Sequence, residues 1–403
     1  MRRLAVFVSL IVVVLYAPAP AFARAQWKSD LDRIARGKAI GISATNGKRT
    51  LYSWSARDRR VPASNQKLLL SMALLDRLAP GSRLRTAVLG RKLDSAVLRG
   101  NLYLVGRGDP TLATRGRFAN DLPFDPTYLG RLAKKVKRAG VRRISGRVIG
   151  VKSYFFHDWW ASGWKSSFPS EEVALPAALN LNGNKHKGKH IGNPEWRAAY
   201  KLTRKLRSIG VRVGGRPKVG GRPSRAARNL IGKVTSPRLR VMLRYMNRQS
   251  ANYFAEVFGK LLAVARSGPR GSIAKGANAI EAFASRHGIR LTARDSSGLS
   301  YSNRVSPKAL TKLLRYSEKQ EWGKKLREML PTGGEGTLED RLHGVPIRAK
   351  TGTLDSVSTL TGWLRLGRTG TWAEFSIMSR GMPKYRAVQI EDRIVKLLRK
   401  RAR

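Results

Sequence analysis

The sequence predicts an α/β (α+β) chain in which one antiparallel sheet is built from both chain ends, helices flank it, and a large mixed α/β insert interrupts it. Three observations predict this. Strand patterns occur at 39–54 and again over 347–378; amphipathic helix patterns fill 237–329; and from Arg85 to about 235 the texture changes to short strands, one helix and Gly-rich basic loops. Strands near both ends around a helical middle are satisfied by one shared sheet, because every apolar face must be buried against another layer.

The first segment has the three-part form of a secretory leader. Arg2 and Arg3 precede an apolar run from Leu4 to Tyr16, and Ala21-Phe22-Ala23 supplies a small-residue site, so residues 1–23 are expected to be removed. The apolar run is shorter than the roughly 20 residues a membrane span needs. The expected product is exported, soluble or peripherally attached.

Trp27 to Arg36 carries a short helical pattern. Ala39–Ala44 and Arg49–Trp54 flank Thr45-Asn46-Gly47-Lys48, and Asn-Gly between two such runs signals a hairpin. Pro62 then opens a helix in which nearly every position after Lys67 is apolar, closed by Ala79-Pro80-Gly81. A helix without a wet face runs through a core. In the insert, expected between 85 and 235, Thr86–Leu89, Leu102–Val105 and Arg147–Val151 read as strands and Tyr128–Ala139 as a helix. From 155 to 235 the residues read as irregular. Helices are expected at Pro237–Tyr245, Asn252–Ala265, Ile273–Arg286, Pro307–Tyr316 and Trp322–Met329. A meander of Ile347–Thr353, Thr359–Leu366 and Thr371–Met378 follows, then a closing helix over Ala387–Arg399. The peptidase-like unit is accordingly expected to comprise 24–84 and 236–403.

Composition narrows the classes of function. Cysteine is absent from the 403 residues, which removes disulfide frameworks and thiolate metal sites. Lys and Arg number 80 against 25 Asp and Glu, a formal +55 spread along the chain, which predicts a surface that attracts polyanions. Zinc-finger spacing, single-strand-binding signatures and basic regions with heptads are missing, so anionic wall polymers or a membrane surface are better expectations than nucleic acid.

Chemistry enters at three short motifs. Ser64 and Lys67 lie one helical turn apart on one face, which places an amine beside a hydroxyl. Burial and the positive helix end disfavour the ammonium, so Lys67 is expected to take the Ser64 proton. Ser-x-x-Lys also occurs at Ser162/Lys165 and Ser272/Lys275. Ser272, however, reads as a helix cap, and Ser162 precedes no helical run. Ser250-Ala251-Asn252 opens an apolar helix, and Lys350-Thr351-Gly352-Thr353 lies on the first strand of the meander. Acyl transfer needs a nucleophile, a base, a proton donor for the leaving amine and dipoles for the oxyanion. The expected roles are Ser64 as nucleophile, Lys67 as base, Ser250 as proton relay and Asn252 as holder of a substrate amide. Lys350, Thr351 and Thr353 form a carboxylate seat, and Gly352 allows close approach of substrate to the strand.

In these three motifs, in this order, the chain resembles the penicillin-recognising serine enzymes. The long interval between Ser64 and Ser250 narrows the resemblance to the D-alanyl-D-alanine carboxypeptidase/endopeptidase family, which carries inserted domains there. Gly106-Arg107-Gly108-Asp109-Pro110, Asp295-Ser296-Ser297-Gly298-Leu299-Ser300 and Asn303-Arg304-Val305-Ser306-Pro307 extend it along nearly the whole chain after the leader. The resemblance implies a β-lactamase/transpeptidase-like domain and a periplasmic or otherwise extracytoplasmic enzyme that trims peptidoglycan stem peptides or crosslinks and is acylated by penicillins. It implies no cofactor or metal. It also places Asp158 where the family has an acidic residue facing the amino-bearing arm of the peptide. Two departures stand out: Ala251 replaces the usual Asp of the second motif, and the insert is short. A polyanion-binding protein with little turnover and a β-lactamase-like hydrolase are the competing expectations. A zinc peptidase or α/β-hydrolase lacks its motif here, and His186 and His190 flank what reads as a loop.

Overall fold

The computed structural model describes residues 19–402, with side chains from Gln26 onward; residues 1–18 of the expected leader lie outside this range. The first described helix, Ala19–Ala35, begins ahead of its expected start at Trp27.

The central sheet has five antiparallel strands in the order Ile347–Leu354, Val357–Arg365, Trp372–Arg380, Ile40–Asn46, Arg49–Trp54. The chain ends meet where Ile40 pairs with Ser379. The hairpin turns at Gly47-Lys48, with Asn46 paired to Arg49 and Gly47 at φ +57°. Alternation along Val357–Arg365 explains the two layers on this sheet. Leu360 and Leu364 face a cluster with Trp27, Leu31, Ile394 and Leu398 of the two terminal helices. Trp363 faces the other core, with Leu68, Met72, Phe254, Phe258 and Leu313. Helices thus cover both faces of the shared sheet.

The chain leaves this body after Leu84 and returns at Ser236, where the two segments are tied: Ser236 N donates to Leu84 O (2.8 Å), and Leu84 N donates to Ser236 Oγ (2.8 Å). Between them a second sheet runs Lys218–Gly220, Val148–Val151, Leu102–Val105, Arg85–Gly90, Asn229–Thr235. Its core includes Leu104, Val148, Leu132 and Leu202.

One expectation for this region is corrected. Pro194–Ser208 is a regular helix, not irregular chain; Asn193 accepts from Trp196 N at its start, Pro194 occupies its first turn, and Ala198, Ala199, Leu202 and Leu206 are buried. The cap and the spacing were both legible, but the Gly and Lys residues on either side obscured them. Lys185–His186 and Lys189–His190 form a small hairpin. Among the described residues no group of three His, Asp or Glu side chains could hold a metal ion, and no helix is long and apolar enough to cross a membrane.

Candidate active site

The helix expected to run unbroken from Pro62 is divided. Ala63–Asn65 forms a single 3₁₀ turn, and the α-helix spans Gln66–Leu75, all of it buried. Ala63 sits at φ +46°, a conformation that costs a residue with a Cβ free energy and that tends to be held by its surroundings. The surroundings are the Asp295–Ser300 loop: Gly298, at φ +88°, lies so close that a Cβ there would overlap the Ala63 carbonyl oxygen. Asn65 donates to Thr361 Oγ1 (2.8 Å) and Gln66 to Asp295 O (3.2 Å), fixing the turn between sheet and loop.

This turn presents Ser64 to a cleft of about 990 Å³ whose walls include Ser250, Asn252, Thr351, Thr353 and Glu172. Lys67 is fully buried behind it. Its Nζ lies 2.9 Å from Ser64 Oγ, 2.8 Å from Asn252 Oδ1 and 2.6 Å from the Ser297 carbonyl oxygen. Burial pulls Lys67 down to about 8, against the opposing charges of Asp295, Glu256 and Glu172.

The Ser297 carbonyl is itself supported. Glu256, one helical turn beyond Asn252, accepts from Ser296 N (3.0 Å) and Ser297 N (2.7 Å). Burial, then the neighbouring Asp295 charge, pushes Glu256 up to about 7. Asp295 accepts from Trp164 Nε1 (2.7 Å), Gly298 N (3.0 Å), Ser300 N (2.7 Å) and Asn303 Nδ2 (2.8 Å). Two buried carboxylates therefore hold the loop on which Lys67 rests.

Ser250 stands at φ +54° on the cleft wall, ahead of the helix Asn252–Ser267, whose cap residue is Ala251. Lys350 is fully buried; its Nζ donates to Thr351 O (2.8 Å), and burial followed by the charge of Lys67 holds it well below the ordinary lysine range. The seat expected of this motif thus has Thr351 and Thr353 at its surface and Lys350 behind them. A Cβ at Gly352 would overlap Thr359 Oγ1 and stand 2.9 Å from Ser64 N and Pro62 O, so the glycine lets the Ser64 turn pack against this strand.

Asp158 is not brought to the cleft. Its Oδ1 lies 2.7 Å from the buried Lys260 Nζ, and its Oδ2 accepts from Ile273 N (2.7 Å) at the start of the helix Ile273–Arg286. Desolvation explains the placement, since a buried ammonium needs a carboxylate partner. Of the other Ser-x-x-Lys pairs, Ser272 caps that same helix by accepting from Lys275 N (3.1 Å), and Lys165 makes an ion pair with Asp355 at the cleft rim.

Sequence reasoning assigned no role to Glu172, Glu256 or Asp295. For Glu256 a signal existed, an acid four residues past Asn252 on an apolar helix; for Glu172, in a loop, none did.

A family model described as the D-Ala-D-Ala carboxypeptidase 3 (S13) family matches residues 26–190 and 182–401, nearly all of the described chain. The chain belongs to this family. Members of the D-Ala-D-Ala carboxypeptidase 3 family are serine peptidases, and this protein is such an enzyme by membership. A D-alanyl-D-alanine carboxypeptidase of an Actinomadura species is 25% identical, with 98% of this chain and 89% of that protein covered. The D-alanyl-D-alanine carboxypeptidase DacB of Haemophilus influenzae is 24% identical over 87% of each. The crystal structure of penicillin binding protein 4 (dacB) from H. influenzae superposes with a TM-score of 0.78 at 22% identity, covering 92% of this chain and 99% of that one. The fold is thus that of the penicillin-binding D,D-peptidases. That relative has also been solved in complex with a β-lactam (TM-score 0.70, 23% identity).

Proposed function

We infer that this protein is a serine-type D-alanyl-D-alanine carboxypeptidase, D,D-endopeptidase or both, acting on peptidoglycan stem peptides through an acyl-enzyme on Ser64. One observation carries the reading: the three neighbours of Lys67 Nζ. A neutral amine has two N–H donors and one lone pair. Asn252 Oδ1 at 2.8 Å and Ser297 O at 2.6 Å accept the two donors, which leaves the lone pair facing Ser64 Oγ at 2.9 Å.

In this reading Ser64 Oγ attacks the carbonyl of the penultimate D-Ala while its proton passes to Lys67. The oxyanion meets the backbone N–H groups of Ser64 and Thr353, dipoles whose individual loss costs about 10²–10³ in rate. The C–N bond breaks as Ser250 delivers its hydroxyl proton to the departing amine and takes the proton held on Lys67 in its place, which returns Lys67 to the neutral form. Thr351 and Thr353 hold the terminal carboxylate, with Lys350 beneath. Water then attacks the ester, gives its proton to Lys67, and Ser64 Oγ leaves with a proton restored. Fluorescent penicillin should label the protein covalently and Ser64→Ala should lose the label; a wild type that stays unlabelled at every pH overturns the reading.

The reading extends to an exported, periplasmic or otherwise extracytoplasmic enzyme whose residues 24–84 and 236–403 form the peptidase unit around the insert 85–235. The +55 charge supports peripheral attachment to anionic wall polymers or a membrane surface. The same charge favours a second reading, a polyanion-binding protein with little turnover. Release of D-alanine from a stem pentapeptide argues against its exclusive form.

A further inference from the structure

We propose that Glu172 is a positioning residue for acyl transfer: its carboxylate accepts from the Asn252 side-chain amide and so holds the amide oxygen on Lys67. The proposal rests on the reading of Lys67 as the base.

Asn252 lies between two groups that demand opposite ends of its amide. On one side Lys67 Nζ donates to Oδ1 (2.8 Å), and on the other Nδ2 donates to Glu172 Oε2 (3.2 Å). A carboxylate only accepts and the Lys67 amine donates in either protonation state, so together they define which end of the amide faces which neighbour. Were the amide to turn over, a donor would face a donor at Lys67, and the lone pair of that amine would lose its bearing on Ser64.

Glu172 reaches Asn252 from the insert, directly after the short helix Phe168–Glu171, and its backbone is fixed by Glu172 N donating to Phe168 O (2.9 Å). The carboxylate is exposed in the cleft. Among the described residues no Lys or Arg forms an ion pair with Glu172, and its carboxylate is free to accept from Asn252. Its charge is instead felt by Lys67, which it helps keep protonated. Glu172 therefore acts in two separable ways, by the hydrogen bond that orients Asn252 and by the charge that favours the ammonium form of Lys67.

The two actions separate in Glu172→Gln and Glu172→Ala, measured as acylation rate against pH with fluorescent penicillin. Glutamine keeps an acceptor for Asn252 but no charge. Its plateau rate should stay within about threefold of wild type, while the limb governed by Lys67 moves to lower pH, because removing a nearby negative charge makes the ammonium easier to deprotonate. Alanine loses both functions. Its limb should move similarly and its plateau fall roughly tenfold, the scale of one charge-assisted hydrogen bond. On a peptide substrate the alanine loss should appear in kcat more than in KM. An alanine plateau that coincides with wild type, with melting temperatures unchanged, overturns the proposal and leaves Ser64-dependent acylation standing. A wild type that is never acylated overturns the reading beneath it, and this proposal with it.

Discussion

At the scale of the residue, the site is organised around one amine whose affinity for a proton has been reduced. A lysine at its ordinary value near 10.4 would be neutral about once in a thousand molecules at pH 7.4. Burial brings Lys67 to about 8, where a substantial minority is neutral at that pH. The sign of the pH dependence follows. In the proposed mechanism the neutral amine is the active form, so the acylation rate should rise about tenfold per unit below the Lys67 value and level off above it, read from covalent labelling between pH 5 and 10. Lys67→Arg should remove the limb and lower the rate by at least about 10², because a guanidinium stays protonated throughout that range. The opposing charges of Asp295, Glu256 and Glu172 keep the value from falling further. Sequence showed the Ser64–Lys67 pair, since three-residue spacing on a helix is a local fact. It could not show the carboxylates, which reach Lys67 through contacts more than 100 residues away along the chain.

At the scale of the element, the reactive geometry is set by where a strand, a turn and a loop touch. Gly352 on the strand Ile347–Leu354 meets the Ser64 turn, and Gly298 meets the Ala63 carbonyl from the other side. Neither contact was legible. Gly352 was readable as a point of close approach, but what approached it depended on the register between two distant segments. Gly352→Ala should therefore act on the Ser64 turn, the proposed nucleophile, before it acts on the fold. The added methyl meets Thr359 Oγ1 and Ser64 N, and a shift of about 1 Å at the nucleophile costs on the order of 10² in acylation. The stability cost should be about 1–3 kcal/mol, as for other overpacked sites. Labelling kinetics and a thermal melt on the same sample check this; a slow fall in labelling that merely follows unfolding would contradict it. The helix Pro194–Ser208 carries the complementary lesson, for its cap and apolar spacing were present in the sequence but lay inside basic, Gly-rich surroundings.

At the scale of the whole molecule, the shared sheet is what brings the motifs together. Ser64 follows the N-terminal hairpin, Lys350 lies on the far edge strand, and the insert is accommodated because its ends are tied at Leu84 and Ser236. The charge acts at this scale too. A +55 surface should bind immobilised polyphosphate, and the retention should weaken steeply from about 0.1 M to about 1 M salt as the screening length falls from about 10 Å to about 3 Å. Ser64→Ala should elute at the same salt as wild type, since the substitution changes no charge. Retention that survives at about 1 M salt would show that the charge is not what holds the protein.

The sequence by itself determined the periodicities, the hairpin, the three motifs and their order, and with them the family resemblance and the sheet shared by both ends. These are readable because side-chain spacing and turn chemistry act over a few residues. The tertiary structure decided that Asp158 partners Lys260, that Lys350 lies beneath the cleft, that Glu256 and Asp295 support Ser297, and that Glu172 holds Asn252. Each of these joins residues from separate segments, and a buried charge takes its partner from whatever the packing brings near, which no local pattern encodes.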